Sequence, residues 1–512
     1  MRYANPVIPG FHPDPSVCRV GDDFYLVTSS FEYFPGVPVF HSRDLVHWKR
    51  IGHCLTRKSQ LDLTREPASR GIFAPTIRHH QGRFYMVTTH ITRWQNFYVS
   101  TDDPAGEWSD PIWVEQSGID PSLLFDRDGT VYLTSNGGIR NTKYEHGIHQ
   151  SVIDVETGEF LRTPQLVWKG TGGGWPEGPH LYHIGPWYYL MIAEGGTEYG
   201  HMETIARSRT PFGRYEPCPF NPILSNRSAD LPIQGTGHAD MVFDTRNHCW
   251  LVCLGFRPVP YPPRHHLGRE TFLAPVTWEA DGWPRAGDDG RLALEMDGRL
   301  PKAAPVPEET GRDDFDSPRL GLHWNFLRNP YERDWSLTER PGHLRLHGSA
   351  VDLGDTDSPA WIGRRQCHFD CRVRTHVEFA PQAENEEAGL AIRMNERFRY
   401  EVAISRRDGK RCVITRRTLG TLSAEGPCEA VPDGPLELGI TADKDTYRLS
   451  WAVPGRKHRE LLAAECGLIS KEIAGGFTGV YLAMYASGNG KPCAGPADFD
   501  WFEYASTGVS PA

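Results

Sequence analysis

Alternation such as Val17-Cys18-Arg19-Val20, bounded by Gly, Pro and Asp, predicts short strands along most of the chain. Apolar positions at long helical spacing are scarce. Many of the strands fall into a repeat: a residue entering one strand is followed about a dozen positions later by an aromatic in a second, with a turn between. Asp14 leads to Tyr25 across Gly21-Asp22-Asp23, Ala74 to Tyr85 across Gln81-Gly82, and Asp120 to Tyr132 across Asp126-Arg127-Asp128-Gly129. Glu177 leads to Tyr189 across Gly185-Pro186, and His238 to Trp250 across Asp244-Thr245-Arg246-Asn247. The five openings stand roughly 45–60 residues apart, room for about four short strands each, which is one propeller blade. Five units predict an all-β protein with a five-bladed β-propeller over residues 1–300. A sandwich also uses alternating strands, but it does not account for five equivalent hairpins.

After Leu273-Ala274-Pro275-Val276 the repeat decays. Asp281-Gly282-Trp283-Pro284 and the stretch Pro301 to Pro307 read as an extended, Pro-rich linker. Residues 313–512 form a second all-β region, with strands expected at Cys371–Phe379, Ala388–Arg393, Tyr400–Ile404 and Phe477–Tyr485. Their spacing suits a β-sandwich.

Composition narrows the function classes. A chain of 512 residues has room for two domains, and 52 Gly with 41 Pro suit a turn-rich β protein. The formal net charge of −10 and the lack of a basic stripe argue against nucleic acid or an anionic membrane as partner. The start Met1-Arg2-Tyr3-Ala4-Asn5-Pro6 has no leader-like apolar run, and no stretch is apolar enough to span a bilayer as a helix. Eleven cysteines make an odd count without dense disulfide spacing. Cys249/Cys253 and Cys367/Cys371 are each expected on one face of a strand, but neither has the matched second pair that zinc would need. Reduced, buried thiols in a cytoplasmic protein are the expectation.

The chemistry-bearing stretch is Phe11-His12-Pro13-Asp14-Pro15-Ser16, where a carboxylate is clamped between two prolines. Proline stiffening predicts an extended Asp14 at a strand entrance. The pattern returns at Ile119-Asp120-Pro121-Ser122 and, more loosely, at Pro176-Glu177-Gly178-Pro179. A lone acid before a strand is ordinary. Three acids at the same place in three repeats converge on one funnel and mark an active site. The triple glycine Gly172 to Gly174 lacks the Lys-Ser/Thr of a phosphate loop, which excludes that reading.

These motifs, together with Ser30-Phe31-Glu32-Tyr33-Phe34-Pro35-Gly36, Ser42-Arg43-Asp44-Leu45, Gly71-Ile72-Phe73-Ala74-Pro75, Glu194-Gly195-Gly196-Thr197, Gly235-Thr236-Gly237-His238 and Leu267-Gly268-Arg269-Glu270, resemble glycoside hydrolase family 43. The resemblance implies an inverting exo-glycosidase acting on xylo- or arabinoxylo-oligosaccharides. β-Xylosidase action is placed first, with α-L-arabinofuranosidase or dual action as the rival. It makes Asp14 the general base, Glu177 the general acid, and Asp120 a third carboxylate that tunes and orients Glu177. It makes Arg269 a hydroxyl-binding fork, Phe31 and Phe73 pocket walls, and Ala74 and Thr197 minor substrate contacts. His238 is implied beneath the pocket, beside a calcium ion, an ordered water or neither; no cofactor is required, and a homo-oligomer is compatible. Phe73 stands where many members carry Trp, so the choice of pentose is open. Trp175 could flank the leaving group or simply pack in its loop. A segment of the sandwich, Tyr485 to Pro496, is expected to lean over the funnel. A sugar-binding propeller without catalysis is a distinct alternative, but it has no need of Asp14 and Glu177 together.

Overall fold

The computed structural model describes residues 1–259, 261–306 and 311–508. Five four-stranded antiparallel sheets each contain one expected hairpin as their first two strands. They begin at Ser16–Val20, Thr76–His80, Ser122–Phe125, Glu177–Ile184 and Gln234–Phe243. These first strands contact one another in a closed ring, the first against the second and fifth and so on round, so five blades surround one channel. Strand Arg2–Ala4 pairs with Glu295–Asp297, tying the N-terminus to the far end of the propeller.

The expected linker is partly structural. Pro284–Ala286 forms the outer strand of the fifth blade through Trp278↔Pro284 and its neighbours, so Asp281 to Pro284 is a blade turn. Its proline stands on an edge strand, where a missing N–H costs nothing. Of Pro301 to Pro307, Pro307 lies outside the described residues.

The C-terminal region is a sandwich of two antiparallel sheets. Strand Cys371–Glu378 alternates strictly between buried and half-buried positions, as a one-sided sheet requires. Its core joins Leu390, Val402, Leu438, Leu482 and Phe499 from both sheets. Two expectations change. The strand expected from Phe477 begins only at Tyr481, leaving 475–480 as a loop. Cys367 precedes strand Cys371–Glu378, so only Cys249 and Cys253 share a strand. The eleven cysteines form no disulfide.

The propeller supplies a strand of its own to the sandwich: Tyr33–Phe34 pairs with Asn325–Leu327 at the edge of the larger sheet. There the Tyr33 ring stacks on Tyr481 with centroids 3.9 Å apart, and Arg393 of the sandwich donates to the Tyr33 hydroxyl at 3.1 Å. The two units therefore share one sheet and a buried seam.

Candidate active site

A cavity of about 90 Å³ opens at the channel mouth. It is lined by Asp14, Phe31, Phe73, Ala74, Ile119, Asp120, Glu177, Thr197, His238, Arg269 and Phe477. The nine residues given catalytic or substrate-binding places from the sequence meet there, and Trp175 lies outside it. Ile119 and Phe477 were not foreseen.

Asp14 and Asp120 each stand two residues before an innermost strand, and Glu177 opens one. Against the extended geometry expected before proline, Asp14 and Asp120 have φ of +54° and +56°. Asp tolerates this region better than most residues, and such strain persists only where surrounding contacts over-determine it. At Asp14 those contacts are explicit. Oδ2 accepts from the Ser29 hydroxyl at 2.5 Å and Oδ1 from Arg269 Nη1 at 2.7 Å. His238 places Nδ1 3.6 Å from the same Oδ1. His238 lies within strand Gln234–Phe243, at a register irregularity that turns it inward with φ +49°.

Three carboxyls in one buried cavity do not ionise alike. Burial alone would raise Asp14, but the Arg269 guanidinium, His238 and the Ser29 hydroxyl outweigh it and hold the group below the usual carboxylate range. Burial first, then the charge of Asp14, push Glu177 up to about 7, with Arg269 opposing. Burial, then Glu177 and Asp14, raise Asp120 well above its ordinary value, against the pull of the Gly178 N–H at 3.1 Å and Arg269. The charge acting on Glu177 is thus that of Asp14, whereas Asp120 is itself lifted by Glu177. Asp120 and Glu177 act as a proton-holding pair beside an ionised Asp14. Burial lowers His238 below the ordinary imidazole range, against the opposing charge of Asp14. Gly178 has φ +57°, and a Cβ there would lie 2.9 Å from the His238 ring, so this approach requires glycine.

The aromatic wall comes from both units. Phe31 and Phe73 have ring centroids 5.3 Å apart, and Phe477 of the sandwich lies 6.2 Å from Phe31 and 6.1 Å from Phe73. Phe477 is fixed through its backbone: its N–H donates to the Ser69 hydroxyl at 2.8 Å, and its carbonyl accepts from Arg269 Nη2 at 3.3 Å. Ser69 in turn donates its N–H to buried Glu32. Arg269 also reaches Thr197 Oγ1 at 3.0 Å.

The sandwich does reach the funnel, but through 475–480 rather than Tyr485 to Pro496. Tyr485 is buried within strand Tyr481–Ser487. The following turn folds onto its own domain, with Gly488, Gly490 and Cys493 N–H groups donating to Ser349, Ala350 and Gly348 carbonyls. The signal that could have singled out Phe477 is the pair Gly475-Gly476 before it, both at positive φ, which breaks the strand pattern.

Further along the channel, Arg78 donates to both oxygens of Asp240 at 2.7 and 3.1 Å, joined by the Ser16 and Tyr182 hydroxyls. Among the described residues no group of three or more His, Cys, Asp or Glu side chains is placed to hold a metal ion. The positive charges along the axis are guanidinium groups, and the calcium expectation gains no donor set at His238.

An ionised carboxylate and a protonated carboxyl across a small cavity can activate a water and protonate a departing oxygen. Comparison with known proteins places the chain among glycoside hydrolases. The family description "Glycosyl hydrolases family 43" matches residues 3–284, and "Beta xylosidase C-terminal Concanavalin A-like domain" matches residues 312–505. The non-reducing end alpha-L-arabinofuranosidase BoGH43B of Bacteroides ovatus is 48% identical over 98% of this chain and 94% of its own length. A beta-xylosidase of Bacillus subtilis is 34% identical over 98% of this chain and 99% of its own. Among solved structures, Bacteroides ovatus Xyloglucan PUL GH43B superposes with a TM-score of 0.94 at 47% identity, covering 99% of this chain and 100% of that one. The xylan beta-1,4-xylosidase from Bacillus halodurans C-125 gives 0.93 at 35% identity, covering 98% and 99%.

Proposed function

Because the chain belongs to glycosyl hydrolase family 43, we propose that it removes single terminal pentoses from short oligosaccharides by one inverting displacement. Terminal α-L-arabinofuranosides come first among its substrates. The observation that carries the mechanism is the opposite protonation bias of Asp14 and Glu177 around one cavity. Asp14 stays ionised and takes a proton from the attacking water. Glu177 keeps its proton near neutrality and gives it to the glycosidic oxygen as the bond breaks. Asp120 shares the proton reservoir with Glu177 and, through the Gly178 N–H, fixes the start of the strand that carries it. Arg269 serves twice, holding Asp14 ionised and presenting further N–H groups to sugar hydroxyls. The Phe31, Phe73 and Phe477 rings supply apolar faces for a sugar. The small cavity, walled on the sandwich side by Phe477, supports exo-action on one residue at a time.

The sequence placed β-xylosides first. The relative at 48% identity, named for arabinofuranosidase activity, supports the arabinofuranoside ahead of them. The xylosidase reading stays as the second because relatives and structures at 34–35% identity carry that name. The cytoplasmic placement is proposed on cysteines that are mostly buried and lack dense disulfide spacing. Parallel kcat/KM measurements on p-nitrophenyl α-L-arabinofuranoside and β-D-xyloside test the ranking. A higher value for the arabinofuranoside is expected, and a tenfold preference for the xyloside would reverse it.

A further inference from the structure

We infer that Trp175 is the stacking platform of a binding subsite for a pyranose on the leaving-group side of the scissile bond. The inference rests on the glycosidase reading above and adds a second sugar-binding position to it. Trp175 stands two residues before Glu177, within about 7 Å along the chain. It is not among the residues lining the single-sugar cavity. The carboxyl that protonates the glycosidic oxygen sits on the side from which the leaving group departs. A ring just outside the cavity and next to that carboxyl therefore meets the leaving sugar.

Three features separate Trp175 from ordinary loop packing. The residue is 75% exposed, the most exposed tryptophan among the described residues. No aromatic ring or cation of the described residues stacks on it, so an indole face is free. Its backbone holds φ +57°, a costly conformation for a bulky residue.

The loop before it is built to keep that geometry. Buried Glu194 accepts the N–H groups of Thr171 and Gly173 and the hydroxyls of Thr171 and Thr204. Gly195 N–H closes on the Gly174 carbonyl at 2.6 Å. The pyrrole edge of the indole lies against Gly196, where an added Cβ would come 3.0 Å from Cδ1. The next residue is Thr197, which bonds Arg269. One edge of Trp175 is thus pinned to the cavity rim while its face stays open to solvent. That is how an aromatic ring receives the apolar face of a sugar.

The test compares two glycosides of the same pentose, one with a methyl aglycone and one with xylose as the aglycone, on wild type, Trp175→Gly and Trp175→Phe. Glycine removes the ring and accepts the positive φ without strain. Trp175→Gly is expected to lower kcat/KM on the xylose-bearing glycoside by roughly threefold to tenfold, the usual worth of an aromatic contact. Methyl glycoside hydrolysis should stay at the wild-type value, and Trp175→Phe should recover most of the loss. Equal losses on both glycosides would make Trp175 a loop-positioning residue, and no loss on the xylose-bearing one would remove the subsite; either overturns the inference. Wild-type protein that cleaves neither glycoside would bring down the glycosidase reading itself, and the subsite with it.

Discussion

Replacing Arg269 with Gln removes the charge that sets the protonation of the site and leaves a shorter, neutral amide in its place. In the native protein Arg269 Nη1 lies 2.7 Å from Asp14 Oδ1, and both groups are buried. A hydrogen bond between charged groups contributes about 1.5–3 kcal/mol, and 1.36 kcal/mol corresponds to one pKa unit. Losing it should raise the Asp14 pKa by roughly 1–2 units, with Ser29 and His238 still opposing burial. The same guanidinium restrains Glu177, so its pKa should rise as well, by less. Both limbs of the kcat/KM profile on an activated aryl pentoside therefore move to higher pH, the acid limb further, and the bell narrows as its maximum falls. The profile is measured on protein whose near-UV circular dichroism matches wild type. A folded variant whose acid limb stays put, or whose limbs move apart, would refute this electrostatic account.

Asp14→Ala and Glu177→Ala should each lower kcat on a natural disaccharide by about 10²–10⁴-fold; on an aryl glycoside with a good leaving group, Glu177→Ala should lose far less than Asp14→Ala. Steady-state kinetics on the two substrates separate the roles. Phe477→Ala should leave the melting temperature within a few degrees of wild type, because Phe477 is 38% exposed, yet raise KM by roughly tenfold through loss of the sandwich-side wall. Glu32 is pushed up to about 7 by burial, with Glu396 adding and Arg393 opposing. Folded protein thus retains a proton that the unfolded chain releases from about pH 4.5, and wild-type stability is lost as pH rises across that window. Glu32→Gln should gain on wild type by up to about 3 kcal/mol between pH 4.5 and 7, read from denaturant midpoints.

The propeller was legible because its information is local. Period-2 alternation and turn residues recur blade after blade, and closure of the inner strands then brings the first residues of five repeats together. That reasoning placed Asp14, Ala74, Asp120, Glu177 and His238 in one cavity from the repeat spacing. Arg269, Phe31, Phe73 and Thr197 needed the family resemblance, because nothing in their own segments tells an ion-paired surface arginine or a core phenylalanine from a pocket residue. The left-handed backbone of Asp14 and Asp120 ran against local preference, since contacts to Ser29, Arg269 and Gly178 from distant segments decide it. Phe477 was hidden for a related reason. Its place in the pocket depends on Ser69 and Arg269, about 400 and 200 residues away in the chain, as a propeller–sandwich seam built on non-local contacts dictates. The Tyr33–Phe34 strand that crosses into the sandwich left no pattern, being two residues long.

The account stands most directly on the stereochemistry of the first product. Proton NMR of the sugar released from an α-L-arabinofuranoside, recorded before mutarotation, reads it in one experiment. A water activated by Asp14 and attacking opposite the oxygen protonated by Glu177 predicts β-L-arabinofuranose as the first-formed anomer. Appearance of the α-anomer first would mean a covalent intermediate on one of these carboxylates and would contradict the assignment of Asp14 as base.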